Sequence, residues 1–103
     1  STNNYINNLQ TVRDDAVTVY NEVLTENGAA REYTVEELLN EFTVGADGNI
    51  IDPEGNELTA DESTLRDIQY QLKTNLDNEQ SANQMLREAK NSIGYNERLE
   101  KSI

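Results

Sequence analysis

The stretch that decides the fold is STLRDIQYQLK, residues 63–73. Leu65, Ile68 and Leu72 recur at spacings of three and four residues, which places their side chains on one face of an α-helix. The apolar stripe continues through Leu76 and, after the polar residues 77–81, through Ala82, Leu86, Ala89 and Ile93. These positions predict a long helix over residues 60–92.

Both ends of this helix have sequence signals. Thr59 and Glu62 have the spacing of a capping box, in which each residue satisfies a free backbone donor of the other. Gly94 is placed to end the helix, because glycine readily adopts the left-handed conformation that commonly follows a helix. We expect a separate short helix over residues 95–102.

An earlier helix is predicted over residues 3–27, with Gly28 as its stop. Its apolar side chains follow spacings of four and three residues, the pattern of a helical seam. They are Tyr5, Leu9, Val12, Ala16, Val19 and Val23, and the face is widened by Val17, Tyr20 and Leu24. We predict a mainly α fold, in which this helix packs antiparallel against helix 60–92 as an elongated helical hairpin in a single domain, 1–103. The expected core or interface residues are Leu9, Val12, Val19, Val23, Leu65, Ile68, Leu72, Leu76 and Leu86.

The connection between the two long helices contains a small helix plus β-hairpin insert. Thr34 and Glu37 have capping-box spacing and predict a helix over residues 34–43. The DPEG sequence at 52–55 suits a type I turn, and its short flanks predict a β-hairpin over 49–58. Since an isolated two-stranded hairpin is only marginally stable, we expect it to lie against a helix.

The composition favours a structural or binding protein over an enzyme. Apolar residues make up 35% of the 103 residues, and there is no cysteine and no histidine. The usual zinc and haem sites and the commonest general base are therefore excluded, and we expect no catalytic residue, metal or cofactor. The net charge is −12, and residues 31–62 contribute −9 from ten acids and one base. Nucleic acids and anionic membranes repel such a chain, and no run approaches the roughly 18 apolar residues of a membrane span.

The acidic residues do not match a known catalytic or metal-binding motif. An EF-hand loop needs glycine at position 6 and glutamate at position 12, and loops starting at Asp47 or Asp52 both lack them. A weak, irregular calcium site in the hairpin at 47–57 stays open. Adjacent carboxylates such as Asp14 and Asp15 point in different directions on a helix and are usually solvated. We instead predict a partner surface that includes Tyr70, Glu36, Glu37 and Glu41.

Residues 63–73 resemble a segment of the bacterial flagellar filament-capping protein family, also called hook-associated protein 2. Members of that family often have the pattern D-S-T-L-R-x-[IL]-Q-x-[QR]-L-[RK], and this chain matches it from Ser63 to Lys73, with Glu62 in place of the aspartate. VYNEVL at 19–24 resembles the Y-N-x-[VIL] element of the same family. After residue 76 the family moves to a short segment and a β element, whereas this chain continues with a helical pattern.

This resemblance implies a helical stalk that self-assembles at a filament tip, contacts flagellin and lies outside the cell on the bacterial surface. We therefore interpret the chain as a non-enzymatic structural or assembly protein with protein partners. Two alternatives stay open. One is an acidic protein-binding module, such as an inhibitor or nucleic-acid mimic, that uses the acids of residues 31–62. The other is a phage or secretion-machine scaffold protein.

Overall fold

The chain folds as an elongated helical hairpin with a small α/β insert at one end. The structure is a computed structural model that describes the backbone of residues 1–102 and the side chains of Ser1 and residues 3–92. Its elements are α1 (Thr2–Glu26), α2 (Val35–Asn40), β1 (Thr43–Val44), β2 (Asn49–Ile51), β3 (Glu57–Asp61) and α3 (Glu62–Ser102). The molecule measures 70 × 22 × 20 Å. The predicted fold class is confirmed, because α1 packs along α3 and the insert contains a small sheet.

Helices α1 and α3 run antiparallel. The end of α1 is tied to the strand that precedes α3, since the carbonyl oxygen of Asn27 accepts hydrogen bonds from the backbone N–H (2.9 Å) and the hydroxyl (3.1 Å) of Thr59. Further along the pair, Arg13 of α1 lies 3.6 Å from Glu79 of α3. The buried positions of α3 recur mainly at intervals of three and four residues and are Leu65, Ile68, Gln69, Leu72, Glu79 and Ala82.

The face of α1 that packs into the core differs from the prediction. Val12 and Val19 were expected in the core but are 55% and 52% exposed. The apolar residues of α1 cover two adjacent faces, and the one that includes Tyr20, Asn21 and Leu24 packs into the core, where Asn21 also has a hydrogen-bonding partner in the insert. The other predicted core positions are buried (Leu65, Ile68 and Leu72) or half-buried (Leu9, Val23, Leu76 and Leu86).

The ends of α3 also correct the prediction. The helix begins at Glu62, and the carboxylate of Asp61 accepts hydrogen bonds from the N–H of Thr64 (3.2 Å) and the hydroxyl of Ser63 (2.8 Å). The expected capping box of Thr59 does not form, because Thr59 belongs to β3.

The backbone of α3 continues as one helix through 77–81 and Gly94, so the predicted stop and the separate helix over 95–102 are wrong. A single glycine costs a helix only about 1 kcal/mol, so it need not end one. The side chain of Ile93 lies outside the described residues.

The insert contains three strands where two were predicted. The sheet is antiparallel in the order β1-β2-β3. β1 adds a strand to the predicted hairpin, and β3 continues beyond residue 58.

The helix and the turn of the insert lie close to their predicted places. α2 is shorter than the predicted 34–43, and its capping box of Thr34 and Glu37 is present. The turn at 52–55 forms, with the N–H of Gly55 donating to the carbonyl of Asp52 at 2.9 Å. The insert shares one core with the helices, formed by Leu24, Ala29, Tyr33, Leu38, Phe42, Ile50, Leu58, Ala60, Leu65, Ile68 and Leu72.

Gly28 ends α1 as predicted, and its backbone conformation gives a first test. Its φ is +99°, and the following Ala29 N–H donates to the carbonyl of Leu24 at 2.9 Å, which is the geometry of a Schellman cap. A side chain at this position meets no atom within 4 Å, so the cost of a substitution is backbone strain alone. We expect Gly28→Ala to lower the free energy of unfolding by about 1 kcal/mol in urea titrations.

Gly28→Asn is the matched variant, because asparagine tolerates the left-handed conformation better than alanine. It should lose less stability than Gly28→Ala. Equal losses in the two variants would contradict the assignment of the cost to the left-handed backbone.

Candidate interaction surface

Asn21 holds the insert against α1. Its side-chain oxygen accepts from the N–H of Tyr33 at 2.7 Å, and its side-chain nitrogen donates to the carbonyl of Tyr33 at 3.0 Å. The hydroxyl of Tyr33 donates at 2.8 Å to Asp52, which also accepts from the N–H groups of Glu54 and Asn56. Because Asn21, Tyr33 and Asp52 are all buried, this chain of hydrogen bonds satisfies groups that water cannot reach.

Gln69 anchors the insert to α3. It is 8% exposed, and its side-chain nitrogen donates to the carbonyls of Leu38 (3.1 Å) and Leu39 (3.2 Å) near the end of α2, where helical carbonyls lack partners. Its side-chain oxygen accepts from Arg66 at 2.8 Å. Sequence reasoning missed this role because a glutamine beside an apolar stripe is usually solvated. The one sequence feature that pointed to a buried Gln69 was its position directly after the core residue Ile68.

Arg31 pairs with two acids of the insert. Its Nε lies 2.6 Å from Glu54, another guanidinium nitrogen pairs with Glu37, and the group lies 4.4 Å from the ring centroid of Tyr33. The hydrogen bonds from Arg31 and from the backbone of Thr34 lower the pKa of Glu37 to about 2. For Asp52, burial acts to raise the pKa, but the hydrogen bonds from Asn56, Tyr33 and Glu54 outweigh it and the pKa is lowered.

We expect the insert to lose stability in acid. A carboxyl group with a lower pKa in the folded than in the unfolded state stabilises the fold above its unfolded pKa, and the contribution is lost as the pH falls through its folded pKa. For Glu37 this loss runs from pH 4.5 down to about 2, and Asp52 acts in the same direction below 3.8. Thermal melts at pH 7, 4 and 2.5 should therefore show a falling Tm.

Glu37→Gln should lower the Tm at pH 7 and flatten this pH dependence. Glu36→Gln is the control, because Glu36 is the exposed neighbour on the same helix. If Glu37→Gln retained the full pH dependence of the parent protein, the role of the Arg31 pair in acid stability would be contradicted.

A stripe of apolar side chains stays open along α1. We define the α1 stripe as Tyr5, Leu9, Val12, Ala16, Val19 and Val23. Tyr5, Val12 and Val19 are 53%, 55% and 52% exposed, and the other three side chains are half-buried. The alternating spacing of four and three residues is that of a coiled-coil seam. Apolar side chains that stay exposed along one face of a helix make that face a candidate interaction site.

Acidic residues border the α1 stripe. Asp15 and Glu22 directly precede Ala16 and Val23, and both are exposed. An open hollow of about 400 Å³ beside them is lined by Asn21, Glu22, Thr25, Glu26 and Glu32. Arg13 is the single Lys or Arg among residues 1–30, and it is directed to Glu79 and Asp14. The border of the stripe therefore has negative charge that α1 does not neutralise.

Arg13 and Glu79 place a charged layer inside the helical hairpin. Glu79 is 7% exposed, and its Oε1 lies 3.6 Å from Nη1 of Arg13. The Nε of Arg13 and the Oε2 of Glu79 are buried without a hydrogen-bond partner. In the sequence these residues belong to a polar interruption at 77–81, whereas in the structure Glu79 continues the seam between Leu72 and Ala82.

The predicted partner surface contains three exposed side chains and one that already forms an ion pair within the insert. Tyr70 is 69% exposed, and Glu36 and Glu41 are exposed as well. Glu37 is half-buried and pairs with Arg31, so its carboxylate is already used within the insert. Tyr70 directly follows Gln69, whose contacts with α2 place Tyr70 at the same end of the molecule as Glu41.

Two carboxyl groups of the 47–57 hairpin come together. A hydrogen bond between Asp47 and Glu57 lowers the pKa of Asp47 and raises that of Glu57, because the two carboxyl groups compete to ionise. Among the residues whose side chains are described, no three acids are grouped so that they could hold a metal ion. The weak calcium site that the sequence left open in this hairpin therefore has no such cluster of acids in the described part of the chain. Within the same part of the chain, no helix has the length and apolarity needed to cross a membrane.

Comparison of this chain with protein families, with curated proteins and with solved structures gives no match.

Proposed function

We propose that this chain is a non-enzymatic structural module, a helical stalk that joins a larger protein assembly through the α1 stripe. The observation that supports this proposal most directly is the exposure of Tyr5, Val12 and Val19 at coiled-coil spacing. The insert and α3 hold α1 from the other side through Asn21 and Leu24, so the stripe is presented on a preorganised helix. Preorganisation lowers the entropic cost of adding a further helix.

The resemblance of residues 63–73 and 19–24 to flagellar filament-capping proteins suggests a concrete form of this assembly. In that form the stalk belongs to a cap on the bacterial surface, associates with further copies of the cap protein and contacts flagellin. The elongated shape and the long α3 are compatible with a stalk.

Sedimentation velocity of the chain alone, with purified flagellar capping protein and with flagellin monomers tests the proposal. We expect the chain alone to sediment as a monomer and to form a complex with one of the two proteins. We expect this complex to persist at high salt because apolar packing holds it. The double variant Val12→Asp/Val19→Asp should weaken it, while its unchanged circular dichroism shows that the fold is intact. A chain that stays monomeric and binds neither protein would contradict the proposal.

The acidic insert supports a second candidate function, a module that binds a basic protein surface. Glu36 and Glu41 are exposed, and three glutamates line the hollow beside α1. Five acids of residues 31–62 are nevertheless used internally. Glu37 and Glu54 pair with Arg31, and Asp52 is buried. Asp61 accepts hydrogen bonds at the start of α3, and Glu62 pairs with Arg66. A complex that dissociates steeply with rising ionic strength would favour this function over apolar assembly.

A further inference from the structure

We infer that the α1 stripe binds an amphipathic helix of a partner protein, in which lysine or arginine residues flank an apolar seam. The inference rests on the proposed function, because it names the chemistry of the helix that the stalk takes on. It follows from the length of the stripe, from the size of its side chains and from the charge of its border.

The length of the stripe fits one helix of ordinary size. From Tyr5 to Val23 the helix rises about 27 Å, which corresponds to five turns. A partner of about 18 to 21 residues with apolar side chains at alternating spacings of three and four can cover it. This is the mode in which an amphipathic helix lays its apolar face on a helical groove.

The side chains of the stripe set a preference for large partner residues. Val12, Ala16 and Val19 in its middle are small, whereas Tyr5 and Leu9 at one end are large. A helix that packs against small side chains approaches closely, and leucine or isoleucine on the partner fills the space that valine and alanine leave. The partner seam is therefore expected to be rich in leucine and isoleucine.

The charge of the border argues against a second copy of α1 as the occupant. In a coiled coil the residues that flank the seam face each other across the interface. One flank of the α1 stripe contains Asp15 and Glu22, and the other contains Arg13, which lies against the buried Glu79. Two antiparallel copies would bring these acids together, whereas two parallel copies would set them opposite the flank of Arg13, which is already engaged with Glu79. Each copy also has a net charge of −12.

A partner helix with lysine or arginine on its flanks would avoid this repulsion between acidic flanks. Such side chains reach Asp15 and Glu22 on the border, and the hollow lined by Glu22, Glu26 and Glu32 offers further carboxylates. Flanking ion pairs of this kind set partner choice more than raw affinity. The apolar stripe therefore supplies most of the affinity, and the acidic border selects basic helices.

The test uses the full 103-residue chain and two synthetic 21-residue peptides with the same leucine and isoleucine seam. One peptide has lysine at all flanking positions and the other has glutamate. Isothermal titration calorimetry should show that the lysine peptide binds at least about tenfold more tightly at 50 mM salt. The difference should shrink at 1 M salt, because screening weakens the flanking pairs and leaves the apolar contact.

Three variants of the chain separate the two contributions. Val12→Asp/Val19→Asp should weaken binding of the lysine peptide by at least about tenfold at both salt concentrations. Asp15→Lys/Glu22→Lys should reverse the preference toward the glutamate peptide. Glu36→Lys/Glu41→Lys makes the same change in net charge on and beside α2 and should leave the preference as it is.

The outcomes distinguish this inference from the proposed function. Equal binding of the two peptides would overturn the inference, as would an oligomer of the chain alone that Val12→Asp/Val19→Asp abolishes, because a second copy would then occupy the stripe. Either of these results leaves the structural role standing. Binding of the lysine peptide that is unaffected by Val12→Asp/Val19→Asp also overturns it, since charge alone would then account for the contact. If the stripe bound no helix and the sedimentation experiments showed no assembly, both proposals would fail.

Discussion

Replacing Leu24 with alanine is expected to lower the free energy of unfolding by about 3–5 kcal/mol, the largest effect that we predict for a single apolar substitution. Leu24 is fully buried and joins α1 to the core shared by the insert and α3. Its truncation removes apolar contacts from all three parts and leaves a cavity that the surrounding side chains fill only in part. Chemical denaturation followed by circular dichroism measures the loss.

Val19→Ala is the matched control on the same helix. Val19 is 52% exposed, so its truncation should change stability by no more than about 0.5 kcal/mol. Because a domain of this size is only marginally stable, Leu24→Val provides a milder second variant with a loss between the two. If Val19→Ala destabilised the protein as much as Leu24→Ala, the stripe would be buried in the folded chain, and the face of α1 assigned to the core would be wrong.

Breaking the charged layer from one side is expected to have the second largest effect. Arg13→Met leaves the carboxylate of Glu79 buried at 7% exposure with no cation beside it. An uncompensated buried charge of this kind costs about 2–4 kcal/mol, and Arg13 is itself only partly buried, so we expect the lower half of that range. Urea denaturation at pH 7 measures the loss.

The double variant Arg13→Met/Glu79→Leu should recover the stability of the parent protein or exceed it. Two apolar side chains of similar volume remove the desolvation cost of both charges and of the Nε and Oε2 atoms that make no hydrogen bond. A double-mutant cycle then gives the interaction free energy of the pair. A double variant as unstable as Arg13→Met alone would show that the ion pair does not account for the loss.

The charged layer also suggests why α1 and α3 adopt a single register. An apolar repeat by itself allows two helices to pair in registers that differ by a heptad. Such a shift separates Arg13 from Glu79 and leaves both charges in an apolar seam, which is unfavourable. A polar pair in a helical seam is a known means of fixing register at some expense in stability.

Short-range signals in the sequence were sufficient for several elements. The stop at Gly28, the capping box of Thr34 and Glu37 and the turn at 52–55 were all predicted and are all present. Each depends on hydrogen bonds between residues at most five positions apart, so the local sequence contains all the partners. The long apolar repeat of α3 was equally clear, because its period is a property of the helix itself.

Predictions failed where a distant partner competes for the same residue. Thr59 has the spacing of a helix cap, but Asn27, 32 residues away, accepts hydrogen bonds from its backbone and its hydroxyl and holds it in β3. Gln69 has the appearance of a solvated residue, but the free carbonyls of Leu38 and Leu39 draw its side chain into the interior. The spacing of residues in the sequence cannot identify these partners, since only the folded chain brings Asn27 close to Thr59 and the carbonyls of Leu38 and Leu39 close to Gln69.

The amino-acid sequence by itself determined that α1 is a helix with an apolar surface wider than one seam. Only the tertiary structure decided which part of that surface faces the core. Both candidate faces have helical periodicity, so periodicity cannot choose between them. The choice depends on Asn21, whose amide pairs with the backbone of Tyr33, and on Leu24, which fits between the insert and α3. Burying that face leaves Tyr5, Val12 and Val19 of the α1 stripe exposed, and this exposure is the reason that we propose the stripe as a surface for a partner.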